Sequence, residues 1–231
     1  MLQSKQTATS AEILSQAVDA PKRVFVWGFC DDLSDIIKNL ENIGACDVRM
    51  WIGTPSAAKH PRCYDIFSFF SDHWLQLYKA LYMSYTEKMR VNNETYTQLY
   101  KNIYKYIDMS SRHDKIYQCQ DIHFYINSFN LLVNFFHAAL QKEHIQAVIF
   151  SNIPHEGPDL ILYQTCKLLK IQTIVLAQLP YIPNLIMYLF NVEEYGEFSK
   201  YFGNLSHEYI TINNAVSSSK CNTQSLGIGV F

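Results

Sequence analysis

Ala147-Val148-Ile149-Phe150-Ser151-Asn152-Ile153-Pro154-His155-Glu156-Gly157-Pro158-Asp159, continued by Leu160 to Leu169 and by Ile171 to Leu176, is the stretch whose reading decides the fold. Ala147 to Phe150 is a short apolar run bounded by turn residues, the pattern of a buried strand. A polar loop follows, and Gly157-Pro158-Asp159 opens a helix. Proline suits the first helical turn, where its missing N–H costs nothing, and an aspartate there faces the positive end of the helix dipole. Ile171 to Leu176 reads as the next strand. Strand, helix and strand joined by short connections make a parallel pair covered by its crossover helix.

The same grammar extends outward. Upstream, a long helix is predicted from about Asp121 to Glu143, with Ile122, Tyr125, Phe129, Leu132, Val133, Phe136 and Leu140 on a broad apolar face. Near the start, Lys22 to Phe29 reads as a buried strand that stops at Gly28. Leu33, Ile36, Ile37 and Leu40 recur at helical spacing, and Asp47 to Ile52 forms a strand ending at Gly53. The expected fold is therefore α/β, a Rossmann-like parallel sheet of about four to five strands flanked by helices. Between its halves, residues 64–118 read as a Tyr-rich helical insertion. One stripe there holds Phe67, Phe70, Trp74, Leu77, Tyr78 and Leu81, another Tyr96, Leu99, Tyr100, Ile103 and Ile107, with a break at Asn92-Asn93. Such an insertion either packs on the domain or receives a partner. Residues 1–20 read as an N-terminal arm, 21–205 as the α/β domain and 206–231 as a tail. Asn184 to Val192 fits a short strand or a helix, and Glu193 to Phe202 a helix.

Composition bounds the function. The chain has 231 residues, is 48% apolar and carries a formal charge of −2, so it can bury a core and has no basic surplus for nucleic acid. The 16 tyrosines and 14 phenylalanines serve either core packing or stacking on flat ligands. Six scattered cysteines without CxxC spacing suit free thiols in a reducing compartment and give no metal site. Met1 to Ala20 lacks the basic and apolar regions of a signal peptide, and no apolar run is long enough for a membrane span. These features point to the cytoplasm. No residue pattern calls for a cofactor.

Open α/β sheets bind ligands beyond the carboxyl ends of their strands. Three connections lie there: Gly28 to Asp31, Ser151 to Asp159, and Gln178 to Pro183. The second is the richest. His155 suits general acid–base work or anion binding, and Glu156 suits a proton or a hydroxyl. Gly157 permits a sharp turn, and the helix start offers N–H groups. Equally, His155 and Glu156 would brace the turn. His155 and Glu156 are the candidate catalytic pair. Gly28, Asp31, Ser151, Asn152, Gly157, Asp159 and Gln178 are candidate substrate contacts. Gly28-Phe29-Cys30-Asp31 lacks the glycines of a dinucleotide fingerprint, and no phosphate-binding GxxxxGK[ST] occurs.

The segment Ser151 to Tyr163, followed by Cys166 to Ile174, resembles bacterial capsule and lipopolysaccharide biosynthesis proteins, regarded as GT-B-like glycosyltransferases. The similarity spans about Ala147 to Gln178. It implies the acceptor-side, N-terminal domain of an enzyme that takes a sugar from a nucleotide-sugar donor to a glycan acceptor. His155 would then be base or acceptor contact, Glu156 its orienting partner, and Asp159 the residue fixing the helix start. A donor-binding half would come from a second domain or subunit. The location implied is cytoplasmic, peripheral at the inner membrane. The alternative is a non-catalytic module that binds a glycan or a partner enzyme.

Overall fold

The computed structural model of the chain describes residues 20–30, 33–54, 59–65, 74–84, 90–112, 120–178 and 186–194. In chain order these form β1 (Lys22–Trp27), α1 (Ser34–Asn42), β2 (Cys46–Gly53), β3 (Cys63–Asp65) and α2 (Trp74–Ser84). Next come α3 (Asn93–Tyr100), α4 (Ile103–Arg112), α5 (Ile122–Lys142), β4 (Ala147–Phe150), α6 (Pro158–Leu169), β5 (Gln172–Gln178) and β6 (Ile186–Leu189).

The strands make one sheet in the order β3-β2-β1-β4-β5-β6. β1 to β5 pair in parallel and β6 joins β5 antiparallel. The sheet is therefore α/β and mostly parallel, with the strand order of doubly wound Rossmann-like sheets. It differs from the expectation in having six strands, one of them reversed. β3 is a three-residue edge strand starting at Cys63, so the predicted insertion gives up its first residues to the sheet. β6 resolves Asn184 to Val192 in favour of a strand. Residues 1–19, Asp31, Phe67, Phe70, Pro180, Pro183 and residues 195–231 lie outside the described residues, and with them most of the predicted Glu193 to Phe202 helix and the whole tail.

Each face has its own cover. α1 packs Ile37, with Leu33, Ile36 and Leu40, onto Val24, Val26, Val48, Trp51 and Ile149. The other described helices contribute to the opposite core, with Phe25, Trp27, Met50, Ile52, Val148 and Phe150 from the strands. α5 carries most of that side. Asp121 caps it by accepting the Phe124 N–H at 2.8 Å. Phe136 is fully buried and meets the rings of Phe25, Trp27, Tyr78 and Phe135 at centroid distances of 6.2, 6.1, 5.9 and 5.2 Å. The insertion packs on helices: α2 along α5, α3 on α6, and α4 across both. Asn92 caps α3 through the Thr95 N–H, so the predicted break falls at a helix start. A second break at Lys101-Asn102 separates α3 from α4.

Among the described residues no helix is long and apolar enough to cross a membrane. Cys30, Cys46 and Cys166 are free thiols.

Candidate functional site

The chain leaves β1 through α1 to β2 and β3 on one side, then returns to place β4 on the other side of β1. The connections after β1 and β4 therefore diverge, and their carboxyl ends form the topological switch point of the sheet. Two sequence-predicted sites, Gly28 and the Ser151 to Asp159 loop, meet there. Gly28 has φ +84°, and a Cβ on it would lie 1.9 Å from Ser151 Oγ. Only glycine lets the two strand ends approach this closely. The junction is tied by Ser151 N–H donating to Trp27 O at 2.9 Å and Gly28 N–H donating to Ile52 O at 2.8 Å. Trp51 Nε1–H adds a 2.7 Å bond to Gly28 O.

The β4–α6 loop is organised around Asp159, whose side chain is buried. Its carboxylate accepts the backbone N–H of His155 at 2.7 Å and of Glu156 at 2.9 Å. The aspartate thus reaches back from the first turn of α6 and folds the preceding loop onto the helix start. Burial pushes its carboxyl up, while the N–H donors of His155 and Glu156 pull it down; the net direction is upward. Asn152 closes a local turn, its side-chain oxygen accepting the Ile153 N–H at 2.8 Å.

His155 and Glu156 receive opposite environments. The His155 side chain is 53% exposed, with Nδ1 2.6 Å from Ile153 O and 4.0 Å from Asp159 Oδ2. A carbonyl only accepts, so Nδ1 carries the proton in this bond, and in the neutral tautomer the ring's lone pair lies at Nε2. The group orienting the ring is the Ile153 carbonyl; Glu156 takes no part in that bond. Glu156 is sheltered instead, and Oε2 is buried with no hydrogen-bond partner among the described residues. Burial pushes its carboxyl up to about 7, Asp159 adds to the rise, and His155 opposes it.

Gly157 links the loop to the insertion. Its φ is +103°, and a Cβ there would meet Ser110 Oγ at 2.3 Å and Tyr106 Cδ2 at 3.3 Å. α4 therefore seats directly on the loop. Tyr106 is itself fully buried and donates to Ser128 Oγ of α5 at 2.7 Å. Reading by sequence missed Tyr106 and Ser110 as parts of this site, since nothing local in α4 announces which loop it will meet. Gln178 stands at the end of β5, paired in the ladder with Ile186. Asp31 lies outside the described residues.

The arrangement is an α/β switch-point site with an exposed imidazole, a sheltered carboxyl and a helix N-terminus, all held by one buried aspartate. The chain matches no protein-family model, no curated protein and no solved structure.

Proposed function

We propose that this protein is the acceptor-side domain of a glycosyltransferase in bacterial surface-polysaccharide biosynthesis, with the β4–α6 loop as its acid–base site. The observation that carries the reading is the pair of unlike groups at the switch point. His155 presents a basic Nε2 near the surface, and Glu156 has a carboxyl pushed up to about 7. Sugar transfer needs an acceptor hydroxyl to lose its proton as it attacks the anomeric carbon, while the donor's diphosphate leaves with the bonding pair. A base working near neutrality meets the first need. His155 takes the proton at Nε2, and the Ile153 carbonyl stabilises the imidazolium through Nδ1–H. Glu156, its carboxyl raised by burial, sets the local charge that His155 feels. The donor half comes from another domain or subunit.

The test is genetic complementation in the source bacterium. A strain lacking the gene is expected to lose a surface glycan, and the wild-type gene restores it. His155→Ala and Glu156→Gln should each fail to restore it although the proteins accumulate and fold. Full restoration by both variants removes the catalytic assignment. A non-catalytic partner-binding module is the second reading, favoured by the exposed rings of Tyr100 and Tyr104, 42% and 62% accessible, on the insertion. In that case Tyr104→Ser, and not the loop variants, abolishes restoration.

A further inference from the structure

A cavity of 490 Å³ opens between the α3–α4 turn and the outer side of α6, sharing only Pro154 with the switch-point loop. Its size falls within the range of small-molecule sites. We infer that it binds a small phosphorylated polyol, with the phosphate on the Lys101–Lys105 wall and the hydroxyls on the Tyr163–Glu193 wall. This inference is independent of the glycosyltransferase reading.

The two walls differ in charge. Lys101 Nζ donates to the neutral Gln98 amide at 2.9 Å, and Lys105 Nζ lies 5.9 Å over the Tyr104 ring. Among the described residues neither ammonium has a carboxylate within ion-pairing distance. Asp108, the nearest acid along α4, is turned to Arg112. α3 ends where α4 begins, so their terminal half-charges are of opposite sign and largely cancel. The two ammonium groups are left as an uncompensated positive wall.

The facing wall is compensated and rich in acceptors. Tyr163 OH donates to Glu193 Oε2 at 2.8 Å and accepts the Val192 N–H at 3.0 Å, which fixes the carboxylate in place. Lys167 Nζ is 3.8 Å from the same carboxylate and donates to Asn191 at 2.6 Å. A fixed carboxylate accepts hydrogen bonds from hydroxyls and repels a second anion. The side-chain amides of Asn102 and Gln164 also line the space and both donate and accept. A ligand anionic at one end and hydroxylated at the other satisfies both walls. A simple anion satisfies one, and a neutral sugar the other.

Titration calorimetry on the full chain tests this with glucose 6-phosphate as probe, and glucose and inorganic phosphate as controls. Glucose 6-phosphate should bind with Kd below about 1 mM, at least about tenfold more tightly than either control. Lys101→Gln/Lys105→Gln changes only exposed side chains, so it should keep its circular dichroism and bind about tenfold or more weakly. His155→Ala should leave the affinity unchanged. The inference is overturned by absence of saturable binding up to about 10 mM, by equal affinity in the double variant, or by equal affinity for inorganic phosphate. Loss of binding in His155→Ala overturns it too, because the sugar phosphate then sits on the switch-point loop.

Discussion

Replacing Gly157 by alanine separates two costs that the structure superimposes at one atom. The first is conformational. At φ +103° and ψ −67° an L-residue is strained, by about 1–3 kcal/mol. The second is steric, because the new Cβ would stand 2.3 Å from Ser110 Oγ and 3.3 Å from the Tyr106 ring. Moving α4 or the serine to make room adds about 1–3 kcal/mol by the usual cost of overpacking. Gly157→Ala is therefore expected to lose about 2–6 kcal/mol, a large part of an ordinary domain's stability. In a Ser110→Ala background the nearest obstacle is gone. The conformational part and the contact with the Tyr106 ring should remain, and up to about 1–3 kcal/mol should return as a coupling between the sites. Urea unfolding followed by tryptophan fluorescence reads this out, since Trp27 and Trp51 are both buried in the cores. Each kcal/mol should move the midpoint by about 0.3–1 M at constant slope. Identical losses in both backgrounds would show that α4 does not seat on Gly157. A loss below about 0.5 kcal/mol would refute the positive φ itself.

Glu156→Gln should change stability with pH in a defined direction. A carboxyl pushed up to about 7 when folded binds its proton more tightly in the native state than in the unfolded chain. Its favourable contribution is thus complete below the unfolded value and is lost as pH rises through about 7. The variant should match wild type near pH 4 and exceed it by up to about 3 kcal/mol above pH 8, measured by urea melts across pH. Asp159→Asn keeps one acceptor but turns an NH₂ toward the loop's N–H groups, so a loss of about 2–4 kcal/mol is expected by chemical denaturation. Carbon-13 NMR of the same variant should show the Glu156 carboxyl titrating lower, because the Asp159 charge that helped raise it is gone. Phe136→Ala should cost about 3–5 kcal/mol in thermal or urea unfolding, since the ring joins β1, α2 and α5 at a site with no solvent access.

How far the residues foretell this structure depends on how local each cause is. β4, α6 and β5 follow from continuous apolar runs bounded by turn residues, and the sheet places them where that reading puts them. α5 is legible at both ends because Asp121 caps it and its apolar face runs unbroken to Leu140. β3 and β6 are too short, and too near the sheet edges, to carry an alternation, so their strand character comes from the neighbour they pair with. The turn at Lys101-Asn102 is hidden for another reason. Leu99 and Tyr106 point into one core from both sides of it, so the apolar spacing runs through the break. At the site, adjacency in sequence suggests a His155–Glu156 pair. The bond from His155 Nδ1 goes to the Ile153 carbonyl, while burial is the largest cause of the rise at Glu156 and the charge of His155 acts against it.

The placing of the two side chains follows from Asp159. A single buried carboxylate accepting two consecutive backbone N–H groups determines where the two side chains can go. One is turned to solvent and the other is held inside. The exposed imidazole and the sheltered carboxyl are thereby given unlike surroundings, and burial is what raises the carboxyl. The seating of α4 on Gly157 extends this dependence to the insertion. A change that lifts α4 from Gly157 is expected to open the adjacent Glu156 to water and lower its carboxyl, with no residue of the loop altered. Ser110→Trp, which wedges the same contact open, should bring the Glu156 titration down toward the ordinary carboxylate range while His155 keeps its bond to Ile153. A Glu156 titration unchanged in that variant would mean that its shelter comes from the loop itself.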